Sequence, residues 1–105
     1  MIIITGNVLT NAETRAELEA ICVAHSQRSR AEPGCIAHNV HEDCENKDLL
    51  VFIEKWADAD AVKTHFAVPE SGGFVAKLRE LASVPPTIEI YSSQEVPFAA
   101  LSTSS

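Results

Sequence analysis

The chain alternates short apolar runs with amphipathic stretches. Residues 2–9 place Ile4 and Val8 on one side and Thr5 and Asn7 on the other, the two-residue period of a strand. Thr10-Asn11, with Glu13 close behind, supplies a helix start, and the helix predicted from there runs to about Arg30. Its apolar stripe is Leu18, Ile21, Cys22 and His25, which sets His25 at the sheet-facing edge. Glu32-Pro33-Gly34 stops this helix, because proline disfavours helical geometry in the residue before it and glycine permits the turn. Cys35 to Glu42 then alternates Ile36, His38 and Val40 against Ala37, Asn39 and His41, a second strand with a histidine on its more apolar face. The polar stretch 43–48 reads as a hairpin turn into a third strand.

That third strand, Leu49 to Trp56, is apolar on both faces, as expected for a strand covered on two sides. Leu50, Phe52, Glu54 and Trp56 share one face; Leu49, Val51, Ile53 and Lys55 share the other. Asp58 caps a short helix to about Ala67, with Ala61, Val62, His65 and Phe66 on one stripe, and Pro69 ends it. Ser71-Gly72-Gly73 opens another helical segment, with Phe74, Val75, Leu78 and Leu81 inward, and Pro85-Pro86 stops it. Between the two helices, Ala67 to Gly73 reads as a mobile lid. Thr87 to Glu95 sets Ile88 and Ile90 against Glu89 and Tyr91, a fourth strand.

The predicted order βαββαβ is ferredoxin-like: an α+β fold with an antiparallel sheet and its helices on one side. Helices on one side leave the apolar second face to be covered, so a homodimer is expected in which two sheets meet back to back or close into a shared barrel across a two-fold axis. The expected domain is 1–96, with 97–105 as a C-terminal tail.

Charge narrows the function. Eight Lys and Arg against fifteen Asp and Glu give a net charge of −7, which argues against nucleic acid or an anionic membrane as partner. No apolar run reaches the roughly 18 residues of a spanning helix. The start MIIITGNVLT lacks the basic region and cleavage site of a signal peptide, so a cytoplasmic location is expected. Cys22, Cys35 and Cys44 show no metal or redox spacing and read as free thiols; no metal is expected.

Three histidines lie on inward faces. His65 and His38 are candidates for a general base, since a neutral imidazole titrates near working pH; His25 is a candidate for substrate contact. Trp56 offers a flat face for a planar ring, and Asn7 can hold a carbonyl or enolate. Phe52, Phe66 and Phe74 are aromatic candidates for the same wall. Glu54 is costly to bury alone, so it is expected in an ion pair with Lys55, Arg28 or a partner subunit, or else fixing a histidine tautomer. Each of these residues also has a plain structural reading as a satisfied core or cap residue.

The segments EPGCIAHNVHED, FIEKWADADAVKTHF and GGFVAKLREL resemble the antibiotic biosynthesis monooxygenase domain, of the dimeric α+β barrel superfamily, over about residues 2–95. The resemblance implies a homodimer with a pocket between each sheet and its helices. It also implies chemistry without a cofactor on a small aromatic or quinol-like substrate, which itself reduces dioxygen. Other members degrade haem with an Asn, a Trp and a His. Asn7 and Trp56 match the first two, but Phe74 is followed by Val75, Ala76, Lys77 and Leu78, where those members have the iron-binding histidine. Haem degradation is therefore not expected, unless His65 serves instead. His38 stands where many relatives have tyrosine. Two other classes stay open: a non-redox isomerase or cyclase using the same histidines, and a ligand-binding dimer.

Overall fold

The computed structural model describes residues 1–102, and its strands follow from the alternation read above. The order is β1 (Ile2–Leu9), α1 (Arg15–Ser29), β2 (Cys35–Asp43), β3 (Asn46–Trp56), α2 (Ala59–Ala67), α3 (Pro69–Leu81), β4 (Thr87–Ser92) and a helical turn α4 (Phe98–Leu101). The four strands form one antiparallel sheet in the order β2-β3-β1-β4. This is the ferredoxin-like α+β arrangement the pattern predicts. Of the expected tail 97–105, residues 103–105 lie outside the described residues. Among the described residues no helix is long and apolar enough to cross a membrane.

Register decides which side chains meet. His38 lies opposite Glu54, Glu54 opposite Ile4 and Ile4 opposite Ile90, so these four share a row on the helix-covered face. Asn7 pairs with Val51 and Thr87, one residue out of phase, and so belongs to the other face. Two apolar clusters fill the space under the helices: Val8, Leu18, Cys22, Leu50, Phe52 and Leu78 at one end, and Ile4, Trp56 and Val62 at the other.

The third strand begins at Asn46 rather than Leu49 and the fourth ends at Ser92 rather than Glu95, and two larger details differ from the pattern. The first helix begins at Arg15 rather than near Thr10. Thr10 is tied to the start of β3, its backbone N–H and hydroxyl both donating to the Asp48 carbonyl at 2.7 and 2.8 Å, so the chain completes a separate turn first. Asn11 caps that turn, accepting from the Glu13 and Thr14 amides. The expected lid is also absent: Pro69 is the first residue of α3, so Gly72 and Gly73 lie in its opening turns. Only Val68, extended at φ −64 and ψ 127, separates α2 from α3.

The Glu32-Pro33-Gly34 turn needs its glycine twice over. Gly34 has φ +81, and a Cβ there would stand 2.5 Å from the Ala61 Cβ of α2. Gly34→Ala is therefore expected to lower unfolding stability by about 1–3 kcal/mol in a urea titration. A change within about ±0.5 kcal/mol would contradict the close docking of this turn on α2, which carries Glu32 to the helix.

Candidate active site

Two helices and one strand deliver the three inward histidines to one place: His25 from α1, His38 from β2 and His65 from α2. Their rings lie 5.1, 5.4 and 5.6 Å apart pairwise, and all three are buried. Each is held differently. His65 Nδ1 lies 2.7 Å from Glu32 Oε1, so the N–H sits on Nδ1 and the Nε2 lone pair is left over. His38 Nδ1 meets the Ser26 hydroxyl at 2.8 Å; its Nε2 is sealed from solvent and faces Glu54 Oε1 at 3.2 Å, off the line of a hydrogen bond. His25 Nδ1 lies 2.8 Å from Arg28 Nη2, and its ring stacks on Phe74 at 3.8 Å between centroids.

Glu54 is not in the expected ion pair with Lys55 or Arg28. Its Oε1 accepts the Trp56 indole N–H at 3.0 Å and faces His38 instead. Lys55 projects from the opposite face of the strand, and Arg28 is engaged with His25. Burial alone would raise the Glu54 carboxyl, but His38 and the indole N–H more than offset it, so its pKa falls below the usual value. Burial, reinforced by His38, Arg28 and His65, pushes His25 down to about 3, so its imidazole is neutral at working pH. The thiols are free, and burial pushes Cys22 up to about 12, which leaves it inert.

A cavity of about 170 Å³ opens between the sheet and α3, beneath the β4 edge. Of the predicted residues, His25, Glu54, Phe52 and Phe74 line it. His38, His65 and Trp56 form the buried layer next to it and are not part of its wall. Trp56 is 0% exposed, its indole face against His65 at 4.6 Å, so no ring can stack on it in this conformation. Phe66 is half exposed, and Asn7 is on the far side of the sheet.

The sequence reading missed Ser26, Glu32 and the rim residue Arg79, and it paired Arg28 with Glu54 rather than with His25. Arg28 had a usable signal, standing three residues past His25 and so on the same helix face. Ser26 and Glu32 had none: their partners come from β2 and α2, which only the fold brings near.

The three histidines are also the described group best placed to hold a metal, with one nitrogen of each within 4.8 Å of the others. A tetrahedral ion at about 2.0 Å from each nitrogen needs them about 3.3 Å apart. The Arg28 guanidinium also occupies the His25 Nδ1 lone pair. As folded, the cluster is arranged for hydrogen bonding rather than ligation.

Comparison with known proteins agrees with this architecture. A family model described as antibiotic biosynthesis monooxygenase matches residues 1–77. The uncharacterised protein sll1783 of Synechocystis is 32% identical over 94 residues, covering 90% of this chain; the chain spans 64% of that protein's length. A crystal structure from Deinococcus radiodurans superposes with a TM-score of 0.87 at 28% identity, covering 92% of this chain and 96% of that one. A point mutant of SnoaB from Streptomyces nogalater, a cofactor-independent oxygenase, shares the fold at a TM-score of 0.78 and 18% identity, covering 90% and 94% of the two chains. With a family match over nearly three quarters of its length on this sheet and these helices, the chain belongs to the antibiotic biosynthesis monooxygenase family.

Proposed function

We propose that the chain is a monooxygenase without a resident cofactor that oxidises a small dihydroxylated aromatic ring with dioxygen. The observation that carries this reading is the cavity: about 170 Å³, walled by Phe52, Phe74, Val8, Leu78 and Ile88, with His25 and Glu54 among its few polar groups. A cavity of about 150 Å³ lined by apolar side chains admits a benzene ring, so one quinol ring matches this space. Membership of the family and the likeness to SnoaB support the same direction.

Chemically, a quinol hydroxyl must lose its proton before the ring gives electrons readily to dioxygen. His65 is the base, because it alone of the three keeps an uncommitted lone pair while its Nδ1–H is held by the Glu32 carboxylate. In this reading Nε2 takes the proton from a deeply seated hydroxyl or through one bridging water, the His65 ring lying 5.4 Å from that of His25 on the cavity wall. One oxygen atom enters the ring and the other leaves as water. The ring ends as a hydroxyquinone, its hydroxylation and its quinol-to-quinone oxidation supplying four electrons in all. Saturable oxygen uptake with hydroquinone, by protein treated with a chelator, is the expected result. Uptake no faster than spontaneous oxidation, with quinol binding intact, overturns the reading.

The reading includes a homodimer built through the helix-free face of the sheet and a functional domain ending near residue 96. That face carries Ile3, Leu9, Leu49, Val51, Ile53 and Tyr91, with Ile53 41% and Tyr91 48% exposed in the single chain. Light scattering is expected to give a dimer for the native chain and a monomer for Ile53→Asp. A native monomer contradicts this part of the proposal.

A further inference from the structure

We infer that Arg28 fixes His25 as the Nε2–H tautomer, so that His25 offers the cavity a neutral hydrogen-bond donor for a phenolate or enolate oxygen. Glu54 offers an acceptor for a second, protonated hydroxyl of the same ring.

A guanidinium has donors and no lone pair, so the atom 2.8 Å from Arg28 Nη2 accepts: His25 Nδ1 carries no hydrogen. In a neutral imidazole the proton is then on Nε2. That atom makes no hydrogen bond among the described residues and is not sealed as His38 Nε2 is, and His25 lines the cavity. The ring cannot swing freely, being stacked on Phe74 at 3.8 Å and 3°.

Arg28 fits a positioning role because the described residues give it no other. It makes no ion pair with a carboxylate there, its Nε is buried without a partner, and its one side-chain hydrogen bond goes to His25.

Around His25 stand Arg28 from its own helix, His38 from β2, Glu54 from β3, His65 from α2, and from α3 the uncharged Phe74, with Arg79 on the same cavity and Glu70 and Lys77 on a neighbouring recess that His25 also lines. The cation and potential cations beside it oppose its protonation, and burial does so most. A neutral N–H donor and a carboxylate on one cavity wall suit a ring with one oxygen as an anion and another as a hydroxyl. That is the state of a quinol after a single deprotonation.

The inference rests on the cavity being the substrate site, as proposed above, and is tested without turnover. Long-range proton–nitrogen spectra of the labelled protein, with His25→Phe to assign the signal, are expected to show His25 as Nε2–H and untitrated from about pH 5 to 8. In Arg28→Met the Nδ1–H form is expected to appear, and Arg28→Lys, which restores a donor, should return the Nε2–H form. With 4-nitrophenol as probe, the native protein is expected to bind the yellow phenolate in preference to the phenol. Arg28→Met should bind it about tenfold more weakly. A native Nδ1–H tautomer, a tautomer indifferent to Arg28→Met, or no preference for phenolate overturns the inference. Oxygen uptake beside any of these leaves the proposed function standing. The expected tautomer and phenolate binding without oxygen uptake sink the oxygenase alone.

Discussion

Replacing His65 by glutamine is expected to lower kcat for hydroquinone oxidation about 10²–10⁴-fold while changing KM much less. The His65 ring lies 4.6 Å from that of Trp56 and pairs with Glu32 at 2.7 Å, so its loss removes the proposed base and leaves the cavity wall of His25, Glu54, Phe52 and Phe74 in place. Glu32→Gln should reproduce part of the effect, since a neutral amide oxygen holds the Nδ1–H but no longer favours the imidazolium. If His65→Gln turns over at the native rate in folded protein, the base is elsewhere.

Acid lability is the second large expected effect. The folded pKa of His25 is about 3, below the ordinary histidine value of 6.5, so between these values the unfolded chain binds a proton that the folded chain does not. Stability is therefore complete above about pH 6.5 and falls as pH drops toward 3. At about 1.4 kcal/mol per unit the full shift would exceed about 4 kcal/mol; with water in the cavity easing the charged form, a loss on the order of 2 kcal/mol is expected. Glu54 acts in the same direction lower down, its lowered pKa adding stability that is present above 4.5 and lost as pH falls through the folded value. Urea midpoints measured from about pH 7 to 4.5 should fall steadily in the native chain and much less in His25→Phe. Parallel curves for the two proteins would contradict the buried neutral imidazole.

The fold was legible because its signals are local. Alternation in Ile2–Leu9 and Leu49–Trp56, the Asp58 cap and the glycine turn at Gly34 each act over a few residues, and together they leave few arrangements open. Alternation also carried information against one candidate: Asn7 alternates with Ile4 and Val8, and the register that sets Ile4 opposite Glu54 and Ile2 opposite Trp56 then puts it on the other face from both. The candidate site was legible as residue types and much less as wiring. His25, His38 and His65 could be assigned to inward faces, but their tautomers depend on Arg28, Ser26 and Glu32, two of which meet them only through tertiary packing. The cavity joins Phe74, Val75, Leu78 and Arg79 of α3 to Gly6 and Val8 of β1 and Thr87 and Ile88 of β4, whereas the pattern had suggested a lid where α3 begins.

In the proposed function, dioxygen is reduced by the substrate in a cavity of this chain's own residues. Single-turnover reaction of chelator-treated protein with hydroquinone under ¹⁸O₂ tests it most directly. The expected result is one labelled oxygen in the hydroxyquinone and one labelled water per ring consumed. An unlabelled product, or full-rate exchange of substrate hydrogen with deuterated solvent in the absence of oxygen, would contradict it and assign the site to proton transfer instead.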